Sequence, residues 1–172
     1  MSWAVDISLT VNGKRIERAV EPRLHLADFL REELHLTGTH IGCEHGICGA
    51  CTVMMNGDSV RACLTFAVQA DGAAIITVEG LGRIDALSSL QQAFRAHHAL
   101  QCGFCTPGML MTALDLMQKE TPPTQEDVRE ALSGNICRCT GYQFIVDAVL
   151  AAMAQDGDAT GTAAAEAAGN DD

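Results

Sequence analysis

Eight cysteines in 172 residues constrain this chain more than any other feature, because thiols at that density suggest bound metal or disulfide bonds. They form two groups that a long cysteine-free stretch separates. The first group has the spacing C-x4-C-x2-C with one cysteine further along, and the second joins a C-x2-C pair to a later C-x-C pair. The groups are Cys43, Cys48, Cys51 and Cys63, and then Cys102, Cys105, Cys137 and Cys139. Four thiols are the set that a tetrahedral metal site or an iron–sulfur cluster takes.

The sequence shows no recognisable targeting signal. Residues 1–10 lack a basic region, a long apolar run and a twin arginine, and no stretch is long and apolar enough to span a bilayer. We therefore expect a cytoplasmic protein, in which reduced thiols bind metal before they form disulfides. The net charge of −11 argues against nucleic acid or an anionic membrane surface as a partner.

The first half of the sequence has the pattern of a small mixed sheet. Apolar and polar residues alternate before Asn12-Gly13, a strong hairpin signal, and a second hairpin is expected at Asn56-Gly57. Between them lies a segment with apolar residues at helical spacing. This α+β pattern predicts a sheet wrapped over one helix. The segments are 5–20 for the first hairpin, 26–34 for the helix, 53–62 for the second hairpin and 74–78 for a last strand.

From residue 81 the signals are helical. Thr106-Pro107 predicts a cap followed by proline at the first helical position. Thr124, with Asp127 three residues later, resembles a capping box. Four short helices with short links predict a compact bundle over residues 81–154.

The last residues have a different composition. Residues 155–172 are rich in Ala and Gly, are acidic and contain no Lys or Arg. Such a stretch has little to bury, so we predict a disordered tail.

The first cysteine group has the plant-type [2Fe–2S] spacing, in which one loop supplies three of the four thiolates. We expect Gly42, Gly46 and Gly49 to take positive φ and to turn backbone amides toward the sulfurs. Such hydrogen bonds raise the reduction potential. His45 is predicted to be a loop residue, because a Rieske centre needs two His and two Cys on one cluster.

The second group is less diagnostic. In extended backbone Cys137 and Cys139 point to the same side, while Cys102 and Cys105 form a turn before a helix whose first amides stabilise anionic groups. On spacing alone a structural zinc site remains an alternative, because both metals use four-cysteine sets.

Three stretches carry a family resemblance. GCEHGICGACTV at 42–53 resembles the plant-type cluster loop of the xanthine oxidase family of molybdenum hydroxylases, and QCGFCTPG at 101–108 with NICRCTGY at 135–142 resembles that family's second cluster. The resemblance covers about residues 5–152 and favours iron over zinc. It implies the small iron–sulfur subunit of a separate-subunit bacterial member. The implied fold is a β-grasp plant-type ferredoxin-like [2Fe–2S] domain over 1–80, followed by an all-α four-helix-bundle [2Fe–2S] domain over 81–154.

The resemblance also implies roles and partners. The helical-domain cluster would face the molybdopterin cofactor of a large subunit, and the ferredoxin-like cluster would face FAD in a medium subunit, in a heterotrimer or its dimer. Gln101 and Cys139 match the positions that contact the pterin, and an amide capping local backbone is the plainer alternative for Gln101. Arg138 could pair with cofactor or partner, but an ordinary solvated arginine is an equal alternative.

The chain has no G-x-G-x-x-G, no G-x-x-x-x-G-K and no nucleophile–base pair, so we expect no catalytic residue in it. By resemblance it passes single electrons for an enzyme that hydroxylates an aromatic N-heterocycle, or oxidises an aldehyde, with oxygen from water. The alternatives are the small subunit of a carbon monoxide dehydrogenase, an independent two-cluster ferredoxin and a zinc-stabilised interaction module.

Overall fold

The computed structural model describes the backbone of residues 3–119 and 123–167, with side chains up to residue 155. A mixed sheet forms the first half, and helices form the second. The strands are β1 (Val5–Val11), β2 (Lys14–Val20), β3 (Thr52–Met55), β4 (Asp58–Arg61) and β5 (Ala74–Ile76). The helices are α1 (Leu26–Asp28), α2 (Ser89–Ala96), α3 (Thr106–Met117), α4 (Gln125–Leu132) and α5 (Gln143–Ala167).

The strand order in the sheet is β2-β1-β5-β3-β4. Both predicted hairpins are confirmed, since β1 pairs antiparallel with β2 and β3 pairs antiparallel with β4. Their turns at Asn12-Gly13 and Asn56-Gly57 have positive φ at both residues, as tight hairpins of right-twisted strands require. The parallel pairing of β1 with β5 closes the sheet between the hairpins.

The helix predicted at residues 26–34 is shorter and less regular than expected. Three α-helical residues lead into a π turn, Phe29–Glu33, in which the Leu34 N–H donates to the Phe29 carbonyl at 3.2 Å. Phe29 and the adjacent Leu30 are both fully buried. The wider π turn occurs where these two adjacent residues are both buried. The regular helical spacing of apolar residues in the sequence does not reveal such a turn.

The helix starts agree with the sequence at one site and differ at another. The capping box of Thr124 and Asp127 is confirmed at the start of α4. At α3 the cap is Cys105, and Thr106 is already helical. The prediction of Thr106 as the cap is wrong because Cys105 has αR backbone and its carbonyl accepts the Met109 N–H at 3.0 Å, so the helix starts within the cysteine turn.

Each half has its own apolar core, and the two cores share no buried residue. The first lies under the sheet and includes Leu26, Phe29, Leu30, Val53 and Ile75. The second lies among α2, α3, α4 and α5 and includes Phe94, Met109, Val128, Ile145 and Val149.

The last helix extends into the stretch for which the sequence predicts a tail. Helix α5 is described as far as Ala167, and the disorder of residues 155–172 stays a prediction. Alanine, abundant in this stretch, has the highest intrinsic helix propensity. Residues 168–172, the rest of the predicted tail, lie outside the described residues. None of the helices in the described chain combines the length and apolar character of a membrane span.

Candidate metal centres

The first cysteine group lies at one edge of the sheet. Three of its thiols are on the loop that precedes β3, and Cys63 is on the 3-10 turn that follows β4. The thiols form two contacting pairs, Cys43 with Cys48 and Cys51 with Cys63. Cys51 also interacts electrostatically with Cys48, so the two pairs are neighbours. The structure thus brings together all four residues that the spacing selected.

Backbone amides converge on the outer pair. The amides of Cys48 and His45 each donate to the Cys43 sulfur at 3.4 Å. These two bonds, the one from Cys48 first, lower the pKa of the Cys43 thiol to about 6. The amides therefore favour the thiolate, the form that binds metal. His45 contributes its backbone here, as expected of a loop residue.

The inner pair has the opposite electrostatics. Cys51 and Cys63 are both buried. Burial raises the pKa of the Cys51 thiol to about 12, although a backbone hydrogen bond from Cys63 opposes this rise. Metal binding at this pair must displace a proton, which couples binding to pH.

The glycines of the loop do different things. Gly46 and Gly49 take positive φ as predicted, at 77° and 73°. Gly42 does not, and the prediction for it is wrong: Glu44 is the third residue of this loop with positive φ. Gly42 instead matters for space, because a Cβ there would lie 3.1 Å from the Cys48 sulfur.

The second cysteine group also forms two contacting pairs. Cys105 contacts Cys137, and both are buried, whereas Cys102 contacts Cys139, and both are exposed. Burial raises the pKa of the Cys105 thiol to about 12. Contact with Cys102 raises the pKa of the Cys139 thiol. This group therefore has one face in the helical core and one face at the surface.

Two residues that the sequence analysis did not single out hold the C-x-C loop. Burial opposes ionisation of Cys137, but hydrogen bonds from the Thr140 side chain and backbone lower the pKa of that thiol overall. The Tyr142 hydroxyl accepts the Cys137 N–H at 2.9 Å and donates to the Asn135 carbonyl at 3.2 Å. Both residues stand in the 135–142 motif, but its spacing does not show that a phenol spans the loop.

The two cysteine groups meet through the backbone. The Ile136 N–H donates to the Cys48 carbonyl at 2.9 Å, one residue before Cys137. Beside this bond, a Cβ on Gly108 would collide with the Gly49 carbonyl oxygen. The loop of the sheet half and the C-x-C loop are therefore in direct contact.

Both groups fit iron–sulfur clusters by the chemistry of their donors. A [2Fe–2S] cluster binds two thiolates at each iron, and each group presents two pairs of thiols. The Thr106 hydroxyl, next to Cys105 in the chain, is buried without a hydrogen-bond partner among the described residues, and a bound group with acceptor atoms would provide one. A site for a single metal ion is a different arrangement. Among the described side chains, no three His, Cys, Asp or Glu residues are placed to hold one metal ion.

Comparison with known proteins assigns both halves. Residues 9–74 match the family described as "2Fe-2S iron-sulfur cluster binding domain", and residues 77–150 match the family described as "[2Fe-2S] binding domain".

Individual relatives extend over almost the whole chain. The nicotine 6-hydroxylase small subunit of Paenarthrobacter nicotinovorans is 58% identical over 157 residues, which are 91% of this chain and 94% of that protein. Caffeine dehydrogenase subunit gamma of Pseudomonas sp. (strain CBB1) is 58% identical over 146 residues, 83% of this chain and 87% of that protein. The crystal structure of quinoline 2-oxidoreductase from Pseudomonas putida 86 superposes with a TM-score of 0.87 at 53% identity, over 91% of this chain and 98% of the matched chain. The chain belongs to the small iron–sulfur subunits of the molybdenum hydroxylases.

As a member of this family, the small subunit is the electron-transfer component of an oxidoreductase. Its own cofactors are [2Fe–2S] clusters, and the molybdenum cofactor and FAD belong to partner subunits. The zinc-module alternative is therefore excluded.

The remaining predicted residues lie at the surface. Gln101 is exposed beside the exposed Cys102, and Arg138 is exposed between the two cysteines of the C-x-C pair. No hydrogen bond within the described residues engages the exposed Gln101 side chain.

Proposed function

We propose that this small subunit binds one [2Fe–2S] cluster at each cysteine group and connects a molybdenum-cofactor subunit to an FAD subunit. The clusters, when bound, accept and give up electrons one at a time. The chain's own residues hold them, shield their inner faces and fix their separation. We assign the ferredoxin-like domain to 1–80 and the helical domain, as a four-helix bundle of α2 to α5, to 81–154. The proposed ligands are Cys43, Cys48, Cys51 and Cys63, and Cys102, Cys105, Cys137 and Cys139.

The observation that carries the proposal is the hydrogen bond between the Ile136 amide and the Cys48 carbonyl. Cys48 belongs to the first group, and Ile136 is bonded to Cys137 of the second. The path from Cys48 to Cys137 therefore follows covalent bonds of the chain except at one step, the 2.9 Å hydrogen bond between Cys48 and Ile136. This link supports passage of electrons through both groups, and binding to a large and a medium subunit would distinguish such a relay from an independent two-cluster ferredoxin.

The exposed edge of the helical group supports contact with the pterin of a large subunit. Gln101, Cys102 and Cys139 are all exposed there. The side chains of Leu100, Phe104 and Ile136 are apolar and 40–50% exposed. Partner interfaces combine apolar surface with a few polar groups. We assign the free carboxamide of Gln101 and the sulfur edge of Cys139 to the pterin.

The FAD subunit is expected at the other cysteine group. The outer pair, Cys43 and Cys48, is half-buried, and Ile47 and Leu64 nearby are 62% and 58% exposed. The Leu64 side chain lies against Gly46 of the cluster loop, so this apolar patch borders the loop directly. With a large subunit on one edge and a medium subunit on the other, the assembly is a heterotrimer or its dimer. We place it in the cytoplasm, where thiolate ligands stay reduced.

For the substrate we propose an aromatic N-heterocycle. The named substrates of the three relatives, nicotine, caffeine and quinoline, all contain a nitrogen heterocycle. An aldehyde is the second candidate, and carbon monoxide is the third. The small subunit adds no pocket residue to this choice, because its role is to receive electrons after the substrate is oxidised.

The test is expression together with the neighbouring genes. The chain should copurify with a large and a medium subunit and contain about four irons and four sulfides per chain, as two [2Fe–2S] clusters require. In stopped-flow, Gln101→Glu should slow reduction by substrate and leave reduction by dithionite unchanged, because a buried unpaired carboxylate at the pterin interface is costly. Gln118→Glu, the same change at an exposed helix end, is the control. A stable monomer without partners would contradict the proposal and favour an independent ferredoxin.

A further inference from the structure

Asn135 stands at the contact between the two cysteine groups but belongs to neither. Its side chain is buried, with 1% of the residue exposed. The side-chain Nδ2 donates to the Gly49 carbonyl at 3.0 Å, and Oδ1 accepts from the Thr112 hydroxyl at 2.9 Å. Because a carbonyl can only accept, the nitrogen must face Gly49, which fixes the orientation of the amide.

The backbone of Asn135 is used as fully as its side chain. Its N–H donates to the Leu132 carbonyl at 2.9 Å, and its carbonyl accepts the Tyr142 hydroxyl at 3.2 Å. Every polar group of the residue therefore has a partner. A residue bonded in this way is held in one position, and it therefore restrains the backbone of the next residue.

That neighbour is Ile136, whose amide reaches Cys48. Residues 135 and 136 bond to residues 49 and 48, so the side-chain bond and the backbone bond form two adjacent rungs between the loops. Arg61 adds a third connection, donating to the Gly134 carbonyl at 2.8 Å and to the Thr52 hydroxyl at 2.5 Å. Thr52 in turn donates to the Gly49 carbonyl at 2.6 Å.

We propose that Asn135 is a positioning residue for electron passage between the two cysteine groups, holding the Ile136 amide on the Cys48 carbonyl. This inference rests on the proposed function. In the transfer one electron is lost at the group of Cys102 and gained at the group of Cys43, and no bond of the chain forms or breaks. Asn135 touches neither group, and it acts through the distance between their backbones.

Asn135→Leu is the decisive variant in the assembled holoenzyme, because leucine keeps the branched shape and removes both hydrogen bonds. After flash photoreduction, the rate at which the electron redistributes between the two centres should fall several-fold, because loss of the hydrogen bond between Ile136 and Cys48 leaves a through-space gap where the two loops were bonded. The magnetic interaction between the two reduced centres should weaken in the EPR spectrum. Both midpoint potentials should stay close to those of wild type, because the variant removes no cysteine and no hydrogen bond to a cysteine sulfur.

Two further variants separate positioning from folding. Ser59→Ala removes another hydrogen bond between the halves, from the Ser59 hydroxyl to Asp115 at 2.7 Å, without touching the rungs, and should leave the rate as in wild type. Thr112→Val removes only the donor to Asn135 Oδ1 and should slow the transfer less than Asn135→Leu, so it serves as the test if the leucine variant does not fold. Unchanged rate and magnetic interaction in a variant that retains both EPR signals would overturn the positioning role alone. Wild-type protein without two distinct signals would overturn the proposed function as well.

Discussion

Gly108→Ala offers the sharpest test of the contact between the two halves. Gly108 lies in the first turn of α3, where alanine normally stabilises a helix by about 1 kcal/mol relative to glycine. Here the new methyl group would collide with the Gly49 carbonyl and lie 3.1 Å from the Asn135 side-chain nitrogen. The substitution therefore sets helix propensity against packing at one position.

The packing term should win. The obstacle is a backbone carbonyl, which cannot rotate away as a flexible side chain can, and overpacking of this kind costs about 1–3 kcal/mol. Pushing the loops apart also strips Asn135 of its bond to Gly49, and an unsatisfied buried amide costs about 1–3 kcal/mol more. After the gain from helix propensity, we expect a net destabilisation of about 3 kcal/mol. For a chain of this size that corresponds to a fall in Tm of roughly 6–12 °C.

Thermal unfolding of the cluster-loaded protein, followed by circular dichroism, measures the effect. Gly57→Ala is the control: it has φ of 97° and no heavy atom within 4 Å of the added methyl, so it should cost only about 1–2 kcal/mol of backbone strain. The EPR interaction between the two centres should change in Gly108→Ala and not in the control. If Gly108→Ala instead raised Tm, as it would in an exposed helix, the close packing of the two loops would be refuted.

Three further predictions concern single parts of the structure. Cys48→Ser should alter one EPR signal and Cys102→Ser the other; loss of both signals from either folded variant would contradict the division of ligands. Tyr142→Phe should lower the free energy of unfolding by about 1–3 kcal/mol and shift the signal of the helical centre, because the Cys137 amide loses its acceptor; an unchanged signal would be evidence against that bond. Hydrogen bonds from the Thr124 side chain and backbone lower the pKa of Asp127, so its contribution to stability is present above the ordinary aspartate pKa and is lost as pH falls through the lowered value. The Tm gap between wild type and Asp127→Asn should therefore shrink in acid, and a gap independent of pH would count against the cap.

Local chemistry in this sequence predicted local structure well. Asn12-Gly13 and the Thr124–Asp127 box each act within a few residues, and both appear as expected. The prediction for Gly42 was wrong because local chemistry does not show which side chains the fold brings close. Gly42 was expected to turn the chain, but its role is to leave space beside Cys48, which depends on a side chain brought close by the fold.

The contact between the cysteine groups could not be predicted in this way. Its partners, Gly49 and Asn135, are 86 residues apart, and no periodicity in either segment refers to the other. The sequence identified both segments because they carry cysteines, and the resemblance assigned the clusters to them. Only the fold shows that the carbonyls of one loop receive the amides of the other.

The nature of that contact suits its proposed task. Helix α3 packs against β3 and β4, and the hydrogen bonds between the halves include those of Ser59 to Asp115 and of Arg61 to Gly134, in addition to those of Asn135. An apolar interface is non-directional and tolerates small sliding displacements at little cost, whereas a set of hydrogen bonds to fixed carbonyls loses energy with each change of angle or distance. A relay needs a constant separation between its two centres more than it needs strong association of its halves. Directional polar bonds, placed where the two ligand loops touch, supply that constancy in addition to the packing of α3 on β3 and β4.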